Sequence, residues 1–476
     1  MNAASTIDPR EATYSPLSLV DDSGRVFFWR GRVLRGVTAA AEAEMRARFE
    51  CGLVAELARR KLIPRAELTD LHLEGFALVV EHEAMPVVTF PYEWSYGMLR
   101  DAAACVLEVN EIANRFGWEL KDCHAFNILF DGPSPRYVDL GSPVRRLAGL
   151  RGWTAYEEFV RSYDYPLRIW RHGDGFIARR LLAVSDVQPH ESFLLYQHPL
   201  LRRMGGAALL ARWLHAWYGF RNLSGAPEEK IVRRLSSREA RFARWLQRLP
   251  WLPAQSINLA RLRREVLARQ RRCLGSQWSS YQAEYPTDKP SARFRRVIDL
   301  VREFHPASVL ELAGNQGWLS QRLLDEGATG RVVCTDADEE AIDIAYDRAG
   351  ARGSMVHTAV LDFIFPMATP FGTGPVERLG ADLVLALAVS HHILITQHIP
   401  VDRFLSSVAA YARRQAFVEF MPLGLWDGHT APPVPSWYNL DWFRANFARH
   451  FRLLREEKLE ENRILLIGEV QSQRTD

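Results

Sequence analysis

The sequence has few cysteines, no long apolar run and almost no net charge. Its five cysteines among 476 residues are widely scattered, so neither a disulfide framework nor a zinc cluster is indicated. The longest apolar stretches, such as residues 383–389, are far too short to cross a bilayer, and the first residues lack a basic segment followed by an apolar one. We therefore expect a cytoplasmic protein with no export signal and no membrane span.

The charge balance excludes another class of partner. Sixty Lys and Arg residues face 57 Asp and Glu residues, and neither sign is gathered into a long block. Proteins that bind nucleic acids usually concentrate basic residues on one face or in one segment. We expect no nucleic-acid partner.

The hydrophobic fraction of 47% is typical of globular chains, and the length predicts about three domains of roughly 150 residues.

Hydrophobic periodicity divides the chain into three parts. From Arg295 onward, apolar runs of strand length alternate with amphipathic helical stretches, and two strands close the chain, FRLLREEK and RILLIGEV. This pattern predicts a doubly wound, Rossmann-like α/β sheet over residues 276–476. Residues 1–150 place strands before helices and predict an α+β domain. Residues 151–275 are rich in Leu, Arg and Trp at helical spacing and predict a helical extension with a connector.

Within residues 1–150, the stretch EAEMRARFECGLVAELARR is helical in pattern, and both FALVVEH and VVTF are strand-like.

The segment SVLELAGNQGWLSQRLL, followed by VVCTDAD, predicts a ligand site. Glu311 ends a buried strand, a turn of small residues over 313–317 leads into a helix, and Asp336 ends the next strand 19 residues after Gly317. In a doubly wound sheet the first strand-to-helix turn lies at the ligand crevice, and an acid ending the second strand can hold ribose hydroxyls. The spacing therefore favours an adenosine-containing cofactor.

The motifs ELAGNQG, Asp336 and VLDF resemble those of class I S-adenosylmethionine-dependent methyltransferases. The resemblance implies that Asp336 binds the ribose of S-adenosylmethionine and that the residues around the turn face its methionyl part. The cofactor-binding residues that it implies are Glu311, Ala313, Gly314, Asn315, Gly317, Asp336, Asp362, Phe363 and Ala388. The family usually has glycine where this chain has Ala313 and Asn315. Asparagine tolerates the left-handed conformation, so alanine is the larger departure.

Two other interpretations of this segment stay open. The fold could serve a nicotinamide enzyme, although the GxGxxG spacing is absent. The glycines could also do no more than turn the chain in an ordinary α/β sheet.

The fourth predicted strand ends in ALAVSHHILI, which places Ser390, His391 and His392 near the methyl acceptor. A histidine could remove the proton of an attacking hydroxyl as a general base, or the imidazoles could simply cap the strand.

Glu419 could contact the acceptor or lie on the surface. Trp278 and Tyr281 could fold over the cofactor as a lid or pack between helices. The Asn-Pro-Pro-Tyr type of sequence found in base-methylating enzymes is missing.

The phrase LKDCHAFNILFDGPSPRYVDLGS resembles the catalytic and metal-binding segments of protein and aminoglycoside kinases. The resemblance implies that Asp122 is a base and that Asn127 and Asp139 are magnesium ligands for Mg-ATP. No Gly-rich loop or VAIK-like lysine precedes it, and the basic residue near that place is Arg35, which does not replace a lysine simply. We expect a kinase-like domain whose phosphotransfer is lost, with an active kinase or an unrelated domain as alternatives.

Together these segments resemble a bacterial family of two-part methyltransferases that includes host-specific nodulation proteins. The expected function is methyl transfer from S-adenosylmethionine to a small-molecule or glycan-type acceptor, with oxygen slightly favoured because a histidine base is available. Two rivals are a bifunctional protein with an active phosphotransferase and a regulatory protein that binds the cofactor without turnover. No metal site is assigned with certainty, and no oligomeric state is indicated.

Overall fold

The computed structural model describes residues 6–18, 22–146, 152–171, 173, 175–183, 257–271, 275, 276, 278, 290–368, 372–426 and 429–471. Its first unit begins with a five-stranded antiparallel sheet of order β1-β2-β3-β5-β4. The strands are β1 (Thr13–Tyr14), β2 (Gly24–Trp29), β3 (Arg32–Val37), β4 (Ala66–Leu68) and β5 (Leu78–His82).

Helices and two short strand pairs follow this sheet. Strand β6 (Trp118–Leu120) pairs with β9 (Pro143–Arg145), and β7 (Ile128–Asp131) pairs with β8 (Ser134–Tyr137). The helices are α1 (Ala39–Glu50), α2 (Leu53–Arg59), α3 (Tyr96–Arg115), α4 (Tyr156–Phe159), α5 (Tyr165–Arg171), α6 (Gly175–Ala183) and α7 (Leu259–Leu267). Within the described part of residues 151–275, α4 to α7 contribute to the same hydrophobic core as α3.

The predicted helical stretch forms two helices, and one predicted strand is absent. Helices α1 and α2 are separated at Gly52, which takes a φ of 85°. A left-handed residue ends the first helix, and glycine adopts it without the cost that a side chain adds. The VVTF segment at residues 87–90 is not a strand. Val87 instead enters the core of the second unit, so tertiary packing overrides its local β preference.

The second unit is a seven-stranded sheet of order β12-β11-β10-β13-β14-β16-β15. Its strands are β10 (Val309–Leu312), β11 (Val332–Asp336), β12 (His357–Val360), β13 (Ala381–Ala386), β14 (Ala412–Phe420), β15 (Phe451–Glu460) and β16 (Arg463–Val470). Strands β10 to β14 pair in parallel, and β15 and β16 close the sheet in antiparallel pairs. This topology agrees with the parallel sheet and closing pair predicted from the sequence.

Helices cover both faces of this sheet. They are α8 (Ala292–Phe304), α9 (Trp318–Asp325), α10 (Glu339–Arg352), α11 (Pro375–Leu379), α12 (Val401–Tyr411) and α13 (Leu440–Phe447). Alternate residues of β13 face opposite sides: Leu383 and Leu385 pack with α8 and α9, whereas Val384 and Ala386 pack with α12 and α13. The sheet is therefore buried on both faces, as in doubly wound folds. No helix in the described part of the chain is long and apolar enough to span a membrane.

The two units exchange core residues. Val87 of the first unit belongs to the core of the second, and Tyr346 on α10 belongs to the core of the first. The Tyr346 hydroxyl lies 3.0 Å from Asp101 Oδ2, and the Gly97 amide at the start of α3 donates to Asp343 Oδ1 at 2.7 Å. Because α10 follows directly after β11, the first unit contacts the helix that leads away from the candidate cofactor site.

A buried ion pair adds to this junction. Glu93 of the first unit and Arg378 on α11 have side chains only 2% and 4% exposed. Arg378 Nη1 lies 2.8 Å from Glu93 Oε2 and donates to the Val88 carbonyl, and its guanidinium stacks 4.0 Å from the Phe90 ring centre. Such a pair is strongly destabilising to break, because the remaining charge stays buried.

We expect Arg378→Met to lower the free energy of unfolding by about 3–5 kcal/mol, since it leaves Glu93 buried without its cation. The matched control is Arg65→Met, whose partner Glu83 and own side chain are largely exposed. An exposed pair contributes about 0–1 kcal/mol. Urea unfolding of the full chain measures both, and equal losses would contradict a junction held by this pair.

Candidate functional site

The candidate site lies at the carboxyl ends of the central strands. Strand β10 pairs in parallel with β11 on one side and β13 on the other, with Leu312 opposite Thr335 and Ala386. The chain runs outward from β10 through β11 and β12, then returns to form β13 and β14 on the opposite side. Doubly wound sheets bind their ligands in the crevice at this reversal of strand order.

A left-handed turn follows β10 and shapes the crevice. Ala313, Asn315 and Gly317 take φ values of 54°, 53° and 68°. The Gly314 amide donates to the Thr335 carbonyl at 2.8 Å, and a Cβ added at Gly314 would lie 2.8 Å from Cys334 Sγ. Only glycine fits at position 314, whereas alanine at 313 holds a conformation that costs roughly 1–2 kcal/mol.

Asp336 is tied to this turn. Its Oδ2 accepts a hydrogen bond from the Asn315 amide and its Oδ1 accepts one from the Asp338 amide, both at 2.9 Å. Burial raises the pKa of Asp336 to about 6, although the amide donors act in the opposite direction. The acid that ends β11 therefore lies against the turn that follows β10, as the spacing predicted.

Glu311 lies beneath the turn, only 5% exposed. One carboxylate oxygen accepts hydrogen bonds from the Ser320 amide at 3.1 Å and the Ser320 hydroxyl at 2.5 Å. Burial raises the pKa of Glu311 to about 7. In this position Glu311 fastens the first turn of α9 to the end of β10, and a contact with the methionyl part of a cofactor stays a prediction.

Asp362 and Phe363 follow β12 on the next side of the crevice. Asp362 is exposed, and its Oδ1 accepts hydrogen bonds from the amides of Ile364 and Phe365. The Phe363 side chain points into the core, 6.2 Å from Phe404 between ring centres. The segment is joined to Asp336 because the Leu361 amide donates to the Asp336 carbonyl at 2.8 Å.

Ser390, His391 and His392 leave the sheet through a bend at Ala388, whose φ is 53°. The Ser390 hydroxyl donates to the Glu419 carbonyl at 2.7 Å. His391 is 5% exposed, and burial lowers its pKa to about 3, helped by His392 and Arg463 nearby. His392 is half-buried, and burial lowers its pKa as well. The two ring centres are 3.9 Å apart.

Trp278 connects the turn with the histidines. Its backbone carbonyl accepts a hydrogen bond from Asn315 Nδ2 at 2.9 Å, and its ring centre lies 4.7 Å from that of His392. Trp278 thus contacts both sides of the crevice, and its role as a lid over a cofactor stays a prediction. Tyr281, the second aromatic residue of that interpretation, lies outside the described residues.

The donor and acceptor chemistry of the crevice fits an adenosyl cofactor. Among the residues that the structure describes, buried Asn315 Oδ1 and His391 Nδ1 have no hydrogen-bond partner. Buried polar atoms without a partner are costly in a folded protein and suit a polar ligand. The close approach of backbone at Gly314 and the carboxylate of Asp336 add the two features that an adenosine moiety uses.

Glu419 is not at the surface, so that interpretation is wrong. Its side chain is fully buried and pairs with Arg293 on α8 and Arg463 on β16. These arginines lie 126 and 44 residues away in sequence, and only the tertiary fold brings them together. Sequence patterns carry no signal for such a cluster.

A cavity of about 210 Å³ adjoins the site where the first unit meets the start of α10. Asp338 in the cavity wall donates its amide hydrogen to Asp336, so the cavity is one residue contact away from the acid that ends β11. It was not anticipated from the sequence, because residues of both units form its wall: Trp170, Gly173, Arg271, Gly275, Ser276, Asp338, Glu339 and Glu340.

The residues of the kinase resemblance also lie close to one another. Asn127 Nδ2 donates to Asp122 Oδ1 at 3.2 Å. Asp139 Oδ1 accepts a hydrogen bond from the Gly141 amide and lies 3.3 Å from Arg35 Nη1. Arg35, on β3, is only 3% exposed, so a fixed cation already faces Asp139. In the described part of the chain no group of three or more His, Cys, Asp or Glu side chains is arranged to hold a metal ion.

The chain is similar to known proteins in sequence and in fold, and no protein-family model matches it. The chain is 26% identical to nodulation protein NoeA of Rhizobium meliloti strain 1021, over 85% of this chain and 84% of that protein.

The structural neighbours match about two fifths of the chain at low similarity. N-methyltransferase NodS from Bradyrhizobium japonicum WM9 is 14% identical, with a TM-score of 0.29, over 40% of this chain and 99% of NodS. An S-adenosylmethionine-dependent methyltransferase from Clostridium acetobutylicum ATCC 824 is 10% identical, with a TM-score of 0.31, over 40% of this chain and 96% of its own. The functional argument below therefore depends on the geometry of the crevice.

The turn after β10 predicts opposite effects for two neighbouring substitutions. Ala313→Gly should stabilise the chain by up to about 1 kcal/mol, because glycine adopts the left-handed conformation without strain. Gly314→Ala should destabilise it by about 1–3 kcal/mol, because the added methyl overlaps Cys334 and Glu311. Thermal and urea unfolding measure both changes. Equal effects of the two substitutions would show that the turn does not have this shape.

Proposed function

We propose that this protein transfers a methyl group from S-adenosylmethionine to a small-molecule or glycan-type acceptor. One observation carries the proposal: the left-handed turn 313–317 contacts the carboxylate of Asp336 directly and the ring of His392 through Trp278. Asn315 donates its backbone amide hydrogen to Asp336 and its side-chain amide hydrogen to the Trp278 carbonyl, and the Trp278 ring contacts His392.

Each part of the crevice has a proposed role toward the cofactor. Asp336 accepts the ribose hydroxyls, and the backbone at Ala313, Gly314 and Asn315 approaches the cofactor closely with Gly317 starting α9. Asp362 and the backbone of Phe363 hold the adenine, and Glu311 supports the turn from below. Ala388 lines the methyl end. These roles follow the class I resemblance and are supported by the contacts around Asp336.

When bound, the cofactor supplies an electrophilic methyl group whose bonding electrons leave with the sulfur. His392 would accept the proton that the acceptor hydroxyl loses when it is methylated. His392 suits this task better than His391, since a base works best with a pKa near the operating pH and His391 has a pKa of about 3. Neutral His391 instead offers a hydrogen-bonding ring nitrogen beside the base. Most of the rate comes from aligning acceptor and methyl group.

The first unit is proposed to have a kinase-like fold that contributes to acceptor recognition or regulation and no longer transfers phosphate. The ion pair between Arg35 and Asp139 supports the loss, because Asp139 is the proposed magnesium ligand and already faces a guanidinium. An active phosphotransferase that uses Mg-ATP is the rival within this unit.

Calorimetric titration of the full chain with S-adenosylmethionine tests the cofactor site. Wild type should bind, and Asp336→Asn should weaken binding about 10- to 100-fold, because a hydrogen bond to a charged group contributes about 1.5–3 kcal/mol. Wild-type affinity should also fall as the pH drops below about 6, where Asp336 gains a proton. The control Asp325→Asn changes a partly exposed acid at the far end of α9.

No heat with S-adenosylmethionine would contradict the proposed function. In the same experiment Mg-ATP should give no heat, and binding that disappears in Asp139→Ala would favour the bifunctional rival. Donor binding without methyl loss to any acceptor would favour the regulatory rival.

Methyl transfer tests the role of the histidines once a labelled-donor screen of small metabolites and sugar intermediates has supplied an acceptor. His392→Ala should lower kcat by about 10²- to 10⁴-fold, the usual contribution of a general base. His391→Ala should have a smaller effect, and both variants should bind the donor like wild type. Normal turnover in His392→Ala would exclude this residue as the base.

A further inference from the structure

The buried carboxylate of Glu419 lies at the centre of the contacts that shape the acceptor end of the crevice. Glu419 Oε1 accepts a hydrogen bond from Arg293 Nε at 2.9 Å, and Oε2 accepts from Arg293 Nη2 at 2.8 Å. The same Oε2 accepts from Arg463 Nη1 at 2.9 Å and from the Ala388 amide at 2.8 Å. The side chain is fully buried, so these hydrogen-bond donors take the place of the water molecules that would solvate an exposed carboxylate.

Ala388 is the unusual member of this network. It has a φ of 53°, a conformation that alanine avoids and that persists only where the surroundings enforce it. Its amide is bonded to the Glu419 carboxylate, and two residues later the Ser390 hydroxyl is bonded to the Glu419 carbonyl. One residue of β14 therefore holds the chain on both sides of the bend.

The bend sets the direction in which the histidines leave the sheet. His391 follows Ser390 directly and lies in a buried position beside Arg463, whose guanidinium the Glu419 carboxylate also binds. His392 contacts Trp278, which in turn contacts the turn after β10. A change in the bend would thus move both rings relative to the cofactor crevice.

We propose that Glu419 is a positioning residue for methyl transfer: its carboxylate holds Ala388 in the left-handed bend that directs His391 and His392 at the acceptor. This inference depends on the proposed function. In this role Glu419 contacts neither the acceptor nor solvent. Arg293 and Arg463 hold its carboxylate in place.

Glu419→Asp tests this role because it keeps the charge and shortens the side chain by one methylene. The two guanidinium groups can follow the shorter acid, whereas the backbone amide of Ala388 cannot. The matched control is Glu460→Asp, which shortens the other, partly exposed carboxylate that binds Arg463. Ala388→Pro attacks the same bend from its other side, since proline has no amide hydrogen and cannot adopt a φ of 53°.

The first readout is the pH titration of the isotope-labelled histidine rings, which NMR monitors in saturating S-adenosylhomocysteine. Single His→Gln variants assign each ring signal to its residue. In wild type, burial, His392 and Arg463 hold the pKa of His391 near 3. Both Glu419→Asp and Ala388→Pro should raise the His391 midpoint by at least one pH unit, because water reaches a ring that has moved. Glu460→Asp should leave it unchanged.

The second readout is rescue. Glycine takes the left-handed conformation without strain, so Ala388→Gly added to Glu419→Asp should return the His391 midpoint most of the way to the wild-type value. Unchanged histidine titration in Glu419→Asp and Ala388→Pro, or no rescue in the double variant, would overturn the positioning role.

Calorimetric binding of S-adenosylhomocysteine separates this inference from the proposed function. Its Kd should change far less in Glu419→Asp than in Asp336→Asn, because the ribose acid and the turn after β10 are untouched and only Ala388 at the sulfur end moves. No binding to wild type would reject the cofactor site itself, whereas normal binding with unmoved histidines would reject only the role of Glu419.

Discussion

Parallel pairing of β10 with both β11 and β13 is the constraint on which the site depends. Because these three strands run in the same direction, their carboxyl ends meet at one edge of the sheet. The turn after β10, the acid that ends β11 and the bend after β13 consequently face a common crevice. Ala313 and Ala388 are 75 positions apart in sequence, yet the register of β10 with β13 places the segments that contain them at the same edge of the sheet.

The first unit packs directly against the domain that carries the candidate site. It exchanges core residues with the second unit and binds α10 and α11 through Gly97 and Glu93. Helix α10 starts at Glu339, directly after Asp338, whose amide donates to Asp336, so the junction lies close to the candidate cofactor site.

Periodicity predicted the second unit well because its central strands β10, β11 and β13 are largely apolar and helices α8, α9 and α12 are amphipathic. Asp336 was predictable for the same reason, since it directly ends such a run. Contacts between distant segments were not predictable. Val87 packs in the core of the second unit instead of forming a strand, and Gly52 separates α1 from α2. Glu419 pairs with two arginines that lie far away in sequence. Local patterns report the period of an element, whereas these features are set by tertiary partners.

A crystal structure of the full chain with S-adenosylhomocysteine is the most direct measurement of the central claim. The account predicts both ribose hydroxyls within about 3.2 Å of the Asp336 carboxylate, with the sulfur facing Ala388 and the ring of His392. A nucleoside bound elsewhere, or a crevice filled by side chains with the Asp336 carboxylate turned away, would contradict it.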